Sequence, residues 1–187
     1  MLMINTPLAL HATPTASFII AQGIALGTGK RMPLITLRPA QPDDEEFLFA
    51  VYASTRRDEV AAWGWGAAQQ DAFLRMQFTA QQGSYQMQGA EVEQSIVLQD
   101  ERPVGRLIVI RTGAEICLAD IALLPEYRNA GIGSALIGGL LDEARSAGQP
   151  VRLHVLKNNR AQRLYERLGF VSIGDDGLHL SMEYCPA

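Results

Sequence analysis

The stretch from Tyr127 to Ser134, YRNAGIGS, sets Arg128 three residues before Gly131-Ile132-Gly133, with an apolar run behind it. That run predicts a helix, and the first turn of a helix leaves N–H groups without intrahelical partners, which can gather an anion. Glycine at 131 and 133 lets the backbone of 129–134 approach a phosphate closely, and Arg128 adds a fixed positive charge. A tight turn without a ligand is the plainer account of the two glycines. The dinucleotide fingerprint Gly-x-Gly-x-x-Gly fits Gly131 and Gly133 but meets Leu136 where it needs its third glycine. A Walker loop fails too, because Gly138 is followed by Gly139 and Leu140 with no lysine. The segment GTGKR at 27–31 has Ile24 and Arg31 at two positions that a P-loop reserves for other residues.

Asp120 raises a second question. It is a carboxylate inside the apolar strand pattern CLADIALL, where a charge needs a reason. Substrate binding or proton acceptance is one reason, and an ion pair with an arginine such as Arg106 on the adjacent strand is the other. Glu115, at the start of that strand, is the second candidate base. Cys117 and Cys185 are far apart, and His11, His154 and His179 are scattered, so no metal site is expected and the thiols read as reduced.

The elements that must position these groups follow from periodicity. LITLRPA at 34–40 reads as a strand, and Asp43 and Asp44 offer an N-cap to a helix bearing Phe47, Leu48, Val51 and Tyr52. A helical stretch from Thr55 to Gln88 is interrupted at WGWG, 63–66, with Phe73, Met76 and Phe78 close to one face. Three strands follow, near 94–99, 104–111 and 115–124, as an antiparallel meander. Ile132, Ala135, Leu136, Leu140 and Ala144 stripe the helix behind the loop, which stops at Gly148 and Pro150. VRLHVL at 151–156 is a short buried strand, and Ala161, Leu164, Tyr165 and Leu168 share one helical face. Two more strands close the chain. The order predicts an α+β or mixed α/β domain around one sheet.

The loop and the later helix together carry a family resemblance. Arg128-x-x-Gly131-x-Gly133 is similar to the R/Q-x-x-G-x-G/A signature of the GNAT superfamily of acetyl-CoA-dependent N-acetyltransferases. NNRAQRLYERLGF at 158–170 matches that family's second motif at Asn158, Ala161, Leu164, Tyr165, Gly169 and Phe170. The resemblance covers about residues 34–184, and implies one mixed sheet of about six to seven strands flanked by about four helices.

It also implies a mechanism. Acetyl-CoA would lie in a V-shaped opening between strands 115–124 and 151–156, its pantetheine pairing with the backbone of Ala122, Leu123 and Leu124 like an added strand. The Leu123 N–H would face the thioester oxygen. Arg128, Asn129, Ala130, Gly131, Ile132, Gly133 and Ser134 would hold the pyrophosphate, with Asn158, Ala161 and Tyr165 completing the cofactor site. A primary amine of a small molecule or peptide would attack directly in a ternary complex, so no cysteine nucleophile is required. Tyr165 would protonate the departing thiolate, unless it is a core tyrosine. Asn158 would bind pantetheine or a water, or simply cap the helix. Relatives often carry a glutamate where this chain has Cys117, which leaves the base open between Asp120, Glu115 and a water chain. Acceptor contacts in this fold come from the first helices, giving Arg56, Glu59, Trp63, Trp65, Gln77, Phe78, Gln81, Tyr85 and Asp120 as candidates, with at least one tryptophan expected merely to pack. A non-catalytic acyl-CoA sensor of the same fold is the alternative.

Bulk properties agree with these readings. The chain has 187 residues, 48% of them hydrophobic, enough for one domain with a real core. Residues 34–100 carry ten acidic and four basic side chains, whereas 101–169 carry seven acidic and ten basic. The basic stretch suits a polyanionic cofactor, and the acidic one suits a cationic acceptor or is ordinary surface. The net charge of −4 argues against nucleic acid. Residues 1–29 lack any Lys, Arg, Asp or Glu, yet no basic region precedes the apolar run 18–26. Residues 1–32 therefore read as an extension outside a domain spanning 33–187. A cytoplasmic protein with no membrane partner is expected, and a homodimer through the C-terminal strands would follow family habit.

Overall fold

The computed structural model describes residues 33–86 and 92–186, without the side chains of 84–86. The extension 1–32 and the side chain of Tyr85 thus lie outside the described part. Strand β1 (Ile35–Pro39) leads to helices α1 (Glu45–Ser54), α2 (Arg57–Ala61) and α3 (Ala67–Gln86). A meander of β2 (Val92–Gln99), β3 (Arg102–Arg111) and β4 (Ile116–Leu123) follows. Then come α4 (Ile132–Ala147), β5 (Val151–Leu156), α5 (Gln162–Arg167), β6 (Val171–Asp175) and β7 (His179–Tyr184).

The seven strands form one mixed sheet in the order β1-β2-β3-β4-β5-β7-β6. Every neighbouring pair is antiparallel except β4 and β5. Among the described residues five helices flank the sheet, one more than the periodicity suggested. The extra one is α2, a short helix bounded by Thr55-Arg56 and by Gly64, whose φ of 73° ends the segment.

Both faces are covered. On one, α4 buries Ile132, Leu136, Ile137, Leu140, Leu141 and Ala144 against β3, β4 and β5. Each such leucine or isoleucine contributes about 1.5–3 kcal/mol by leaving water. On the other, α1–α3 bury Leu48, Phe49, Val60, Leu74 and Phe78 against Ile96. Met76 departs from expectation: it is 61% exposed, because α3 turns Leu74 and Phe78 inward instead.

Asp44 also departs, making no side-chain cap to α1. Its carboxylate accepts two 2.6 Å hydrogen bonds from Arg38 and a third from the Gln41 N–H at 2.8 Å. Chiefly the guanidinium, and secondarily the N–H, hold the carboxyl down to about 2.

Candidate active site

The site begins where two strands part. β4 and β5 pair only at Ile116↔Val151, Cys117↔Arg152 and Leu118↔Leu153. Both continue, β4 to Leu123 and β5 to Leu156, so their later residues border an open wedge. A bulge turns β4 at this point: Val109 pairs with Leu118 but Ile108 pairs with Asp120, leaving Ala119 as the extra residue. Ile116 and Leu118 face the α4 core before the bulge, and Ile121 and Leu123 face it afterwards. Asp120 and Ala122 are thereby swung to the α1–α3 side. Gly105 of β3 permits the close approach, since a Cβ there would sit 2.3 Å from the Ala122 carbonyl oxygen and 2.6 Å from Leu123 Cδ2.

Backbone direction follows from one bond. The Leu124 N–H donates to the Val104 carbonyl at 2.9 Å. Antiparallel ladders alternate, so Ala122 and Leu124 turn their backbone groups toward β3 while Ile121 and Leu123 turn theirs into the wedge. Of the three residues expected to offer backbone there, Leu123 alone does so. Ile121 is its partner, a residue the sequence reading missed; the period of two would have found it once one β3 contact was known.

The loop after β4 keeps its donors free. Asn129 and Gly131 take positive φ values of 59° and 83°. The Arg128 N–H bonds the Pro125 carbonyl and the Ala135 N–H bonds the Gly131 carbonyl. Between them, the N–H groups of 129–134 meet no acceptor among the described residues, and positions 128–131 are exposed. Alternating left-handed residues followed by a helix start make a concavity for an anion. Arg128 does not flank it as expected. Its Nε donates to the Leu123 carbonyl at 2.8 Å, and Nη2 donates to Ser54 O at 3.2 Å and Ser54 Oγ at 2.9 Å.

Tyr165, on α5, is 7% exposed and packs edge-on against Phe170 at 5.8 Å between ring centroids. Burial, and after it the negative charge of Asp120, push its phenol up to about 12. Ala161 is half-buried at the start of α5. Asn158 is exposed and does not cap α5; its neighbour Asn159 accepts the Ala161 N–H at 2.9 Å.

Across the sheet, Asp120 meets the ion pair foreseen as the plainer reading. Arg106, 2% exposed, donates from Nε to Asp120 Oδ2 at 2.7 Å and from Nη2 to Gln81 Oε1 at 3.0 Å. Its guanidinium also lies 5.6 Å from the centroid of Tyr52, whose hydroxyl donates to Gln77 Oε1 at 3.2 Å. Asp120 keeps a side-chain exposure of 19%, so it borders the open side of this cluster. Tyr52 was read only as a core position; nothing in its spacing marks the polar role.

The remaining acceptor candidates divide. Phe78 is 4% exposed and packs on Phe49 and Tyr52 at 5.8 and 5.7 Å, so it is core, not a contact surface. Arg56 lies 3.5 Å from exposed Glu59 and 5.7 Å from the Tyr52 ring centroid. Trp63 and Trp65 pack with Phe73 in a mutual edge-to-face trio, with centroids 5.1 to 5.4 Å apart. Burial, then the charge of Glu115, raise the Cys117 thiol to about 11, which makes it a poor nucleophile. No metal-holding group of His, Cys, Asp or Glu occurs among the described residues.

Comparisons with known proteins bear on this arrangement. Residues 91–172 match the model of the acetyltransferase (GNAT) domain. The fold is shared with the PaiA N-acetyltransferase of Thermoplasma acidophilum, solved in complex with coenzyme A. There the TM-score is 0.61 at 20% identity, covering 81% of this chain and 98% of that one. An acetyltransferase of Thermus thermophilus superposes with a TM-score of 0.60 at 15% identity, covering 81% and 96%. In sequence, the chain is 33% identical over 75 residues to the ribosomal protein bS18-alanine N-acetyltransferase of Haemophilus influenzae. That similarity covers 40% of this chain and 51% of the relative, about half its length.

Proposed function

We propose that the chain is an N-acetyltransferase that moves the acetyl group of acetyl-CoA to a primary amine by direct attack in a ternary complex. The observation that carries this reading is the wedge between β4 and β5, which opens beside a loop of six uncommitted N–H groups. The loop suits a pyrophosphate, and the wedge suits an extended amide-bearing arm that pairs with Ile121 and Leu123 as an added strand.

The chemistry then balances. The amine lone pair forms a C–N bond to the thioester carbon, and the carbonyl oxygen takes up negative charge that the Leu123 N–H is oriented to meet. As the C–S bond breaks, the phenol of Tyr165 donates a hydrogen bond to the departing thiolate, which takes up its proton from water. Held up to about 12, that phenol is protonated at neutral pH. Asp120 is bonded to a buried guanidinium, which suits a fixed negative charge that binds an ammonium more than it suits a base. A water chain to bulk solvent would take the amine proton.

A protein N-terminus stands beside small amines as an acceptor, on the strength of the alanine N-acetyltransferase likeness. The domain would occupy 33–187 with 1–32 outside it, in a cytoplasmic protein, with the β6–β7 edge available to a second copy. No helix among the described residues is long and apolar enough to cross a membrane.

Thermal shift with acetyl-CoA, CoA and ATP, on wild type and Gly131→Glu, tests the reading. Ligand at 100 times its Kd stabilises by about 2.7 kcal/mol. Stabilisation by both CoA species, absent with ATP and absent in the variant, supports it. No shift with either CoA species refutes it. The sensor alternative gains if CoA binds but no amine in a broad panel releases thiol.

A further inference from the structure

We propose that Arg128 is a positioning residue, not a pyrophosphate ligand: it braces the wedge end of β4 against the C-terminal end of α1. In this way it couples the cofactor loop to the acceptor-side helices. The inference rests on the transferase reading for its catalytic meaning, though not for the brace itself.

The geometry is a fork. Nε takes the Leu123 carbonyl, and Nη2 takes both the carbonyl and the hydroxyl of Ser54, 74 residues earlier in the chain. Ser54 is the last residue of α1, where unpaired carbonyls and the negative end of the helix dipole favour a cation. At the other end of the fork, the peptide joining Leu123 to Leu124 is pinned twice. Its C=O accepts from Arg128 and its N–H donates to Val104. The next donor back along the strand is the Leu123 N–H, which is left to the wedge in a fixed orientation.

A guanidinium that turned to a phosphate would release all three of these bonds. It would free the end of β4 and the end of α1 together. Keeping the fork leaves phosphate binding to the backbone of 129–134, which needs no side chain. The planar fork with two separated donor positions is also something a lysine cannot reproduce. Charge and brace can therefore be separated by substitution.

The test uses the full chain, with Arg128→Ala, Arg128→Lys and Ser54→Ala, and CoA as the probe. CoA affinity is measured by calorimetry at low and high salt, and amide hydrogen exchange is followed over residues 51–56 with and without CoA. The brace predicts CoA affinity within about threefold of wild type for both Arg128 variants. It also predicts about fivefold faster exchange at the Thr55 and Arg56 amides, which close α1 on Tyr52 and Ala53. Ser54→Ala should give a smaller increase, one that does not add to that of Arg128→Ala. A tenfold or greater loss of CoA affinity in the alanine variant, restored by lysine, makes Arg128 a phosphate ligand and overturns the proposal. Unchanged exchange in all variants overturns it as well. If CoA fails to bind wild type, the transferase reading falls, while the exchange of the unliganded proteins still decides the brace.

Discussion

The two sides of the β4–β5 wedge are built from different materials. On the α4 side, the candidate cofactor site is almost wholly main chain: the loop 129–134, the edge groups of Ile121 and Leu123, and glycines that set the curvature. On the α1–α3 side, the candidate acceptor site is made of side chains, Arg106, Asp120, Gln81, Gln77 and Tyr52, delivered by four elements. A main-chain site is indifferent to most substitutions around it and keeps one ligand. A side-chain site can be rewritten residue by residue. The main-chain half and the side-chain half are separated by a single strand, β4.

That contrast can be broken in graded ways. Tyr165→Phe stands at the boundary and should have the largest effect, lowering turnover by about 10²–10⁴-fold. CoA affinity by calorimetry should stay unchanged; a parallel loss of binding would make the tyrosine structural. Asp120→Ala attacks the side-chain half by leaving Arg106 buried without its carboxylate. About 3 kcal/mol of stability should go, read from the urea midpoint, with CoA binding retained. Gly131→Ala attacks the main-chain half, where φ of 83° strains any Cβ by about 1–2 kcal/mol. It should weaken the CoA-induced thermal shift while acceptor-side substitutions leave that shift intact. Gly105→Ala touches both halves, because its Cβ collides with Ala122 and Leu123. A destabilisation of about 1–3 kcal/mol is expected, with slower turnover from a displaced Leu123.

The pH dependence of stability offers a further test. Tyr165 is raised from 10.0 to about 12 in the folded chain, so folding favours its neutral form. The associated stability is full below the ordinary value of 10.0 and is lost as pH rises through about 12. Urea unfolding across that window should fall more steeply for wild type than for Tyr165→Phe.

The same division explains what could be read in advance. A helix start with open N–H groups depends on neighbouring residues, so Gly131, Gly133 and the apolar run behind them announce it. The bulge left a faint trace: apolar residues fall on 116 and 118, then on 121 and 123, but the intervening Cys117, Ala119 and Ala122 blur the change of phase. The Arg106–Asp120 pair is legible from adjacent strands of the meander, but Gln81 joins Arg106 from 25 positions away, which no local period encodes. Phe78 shows the converse error. It was placed on the correct helix but assigned to a surface, whereas the ring closes the core beneath that helix. The tight loop at Arg128 showed its charge in sequence and concealed its partner, because Ser54 comes near only after the sheet has formed.

The short parallel contact between β4 and β5 has a mechanical consequence. Strands β1–β4 form one antiparallel plate and β5, β7 and β6 form another, and among the described residues the ladder between them is three residue pairs long. The sheet is therefore stiff within each plate and compliant along this line, with α4 spanning the joint from one side. Whatever lies in the wedge and bonds to Ile121 and Leu123 acts as a rivet. A pulling experiment on single molecules should find the joint yielding first, at a force that rises once the rivet is in place.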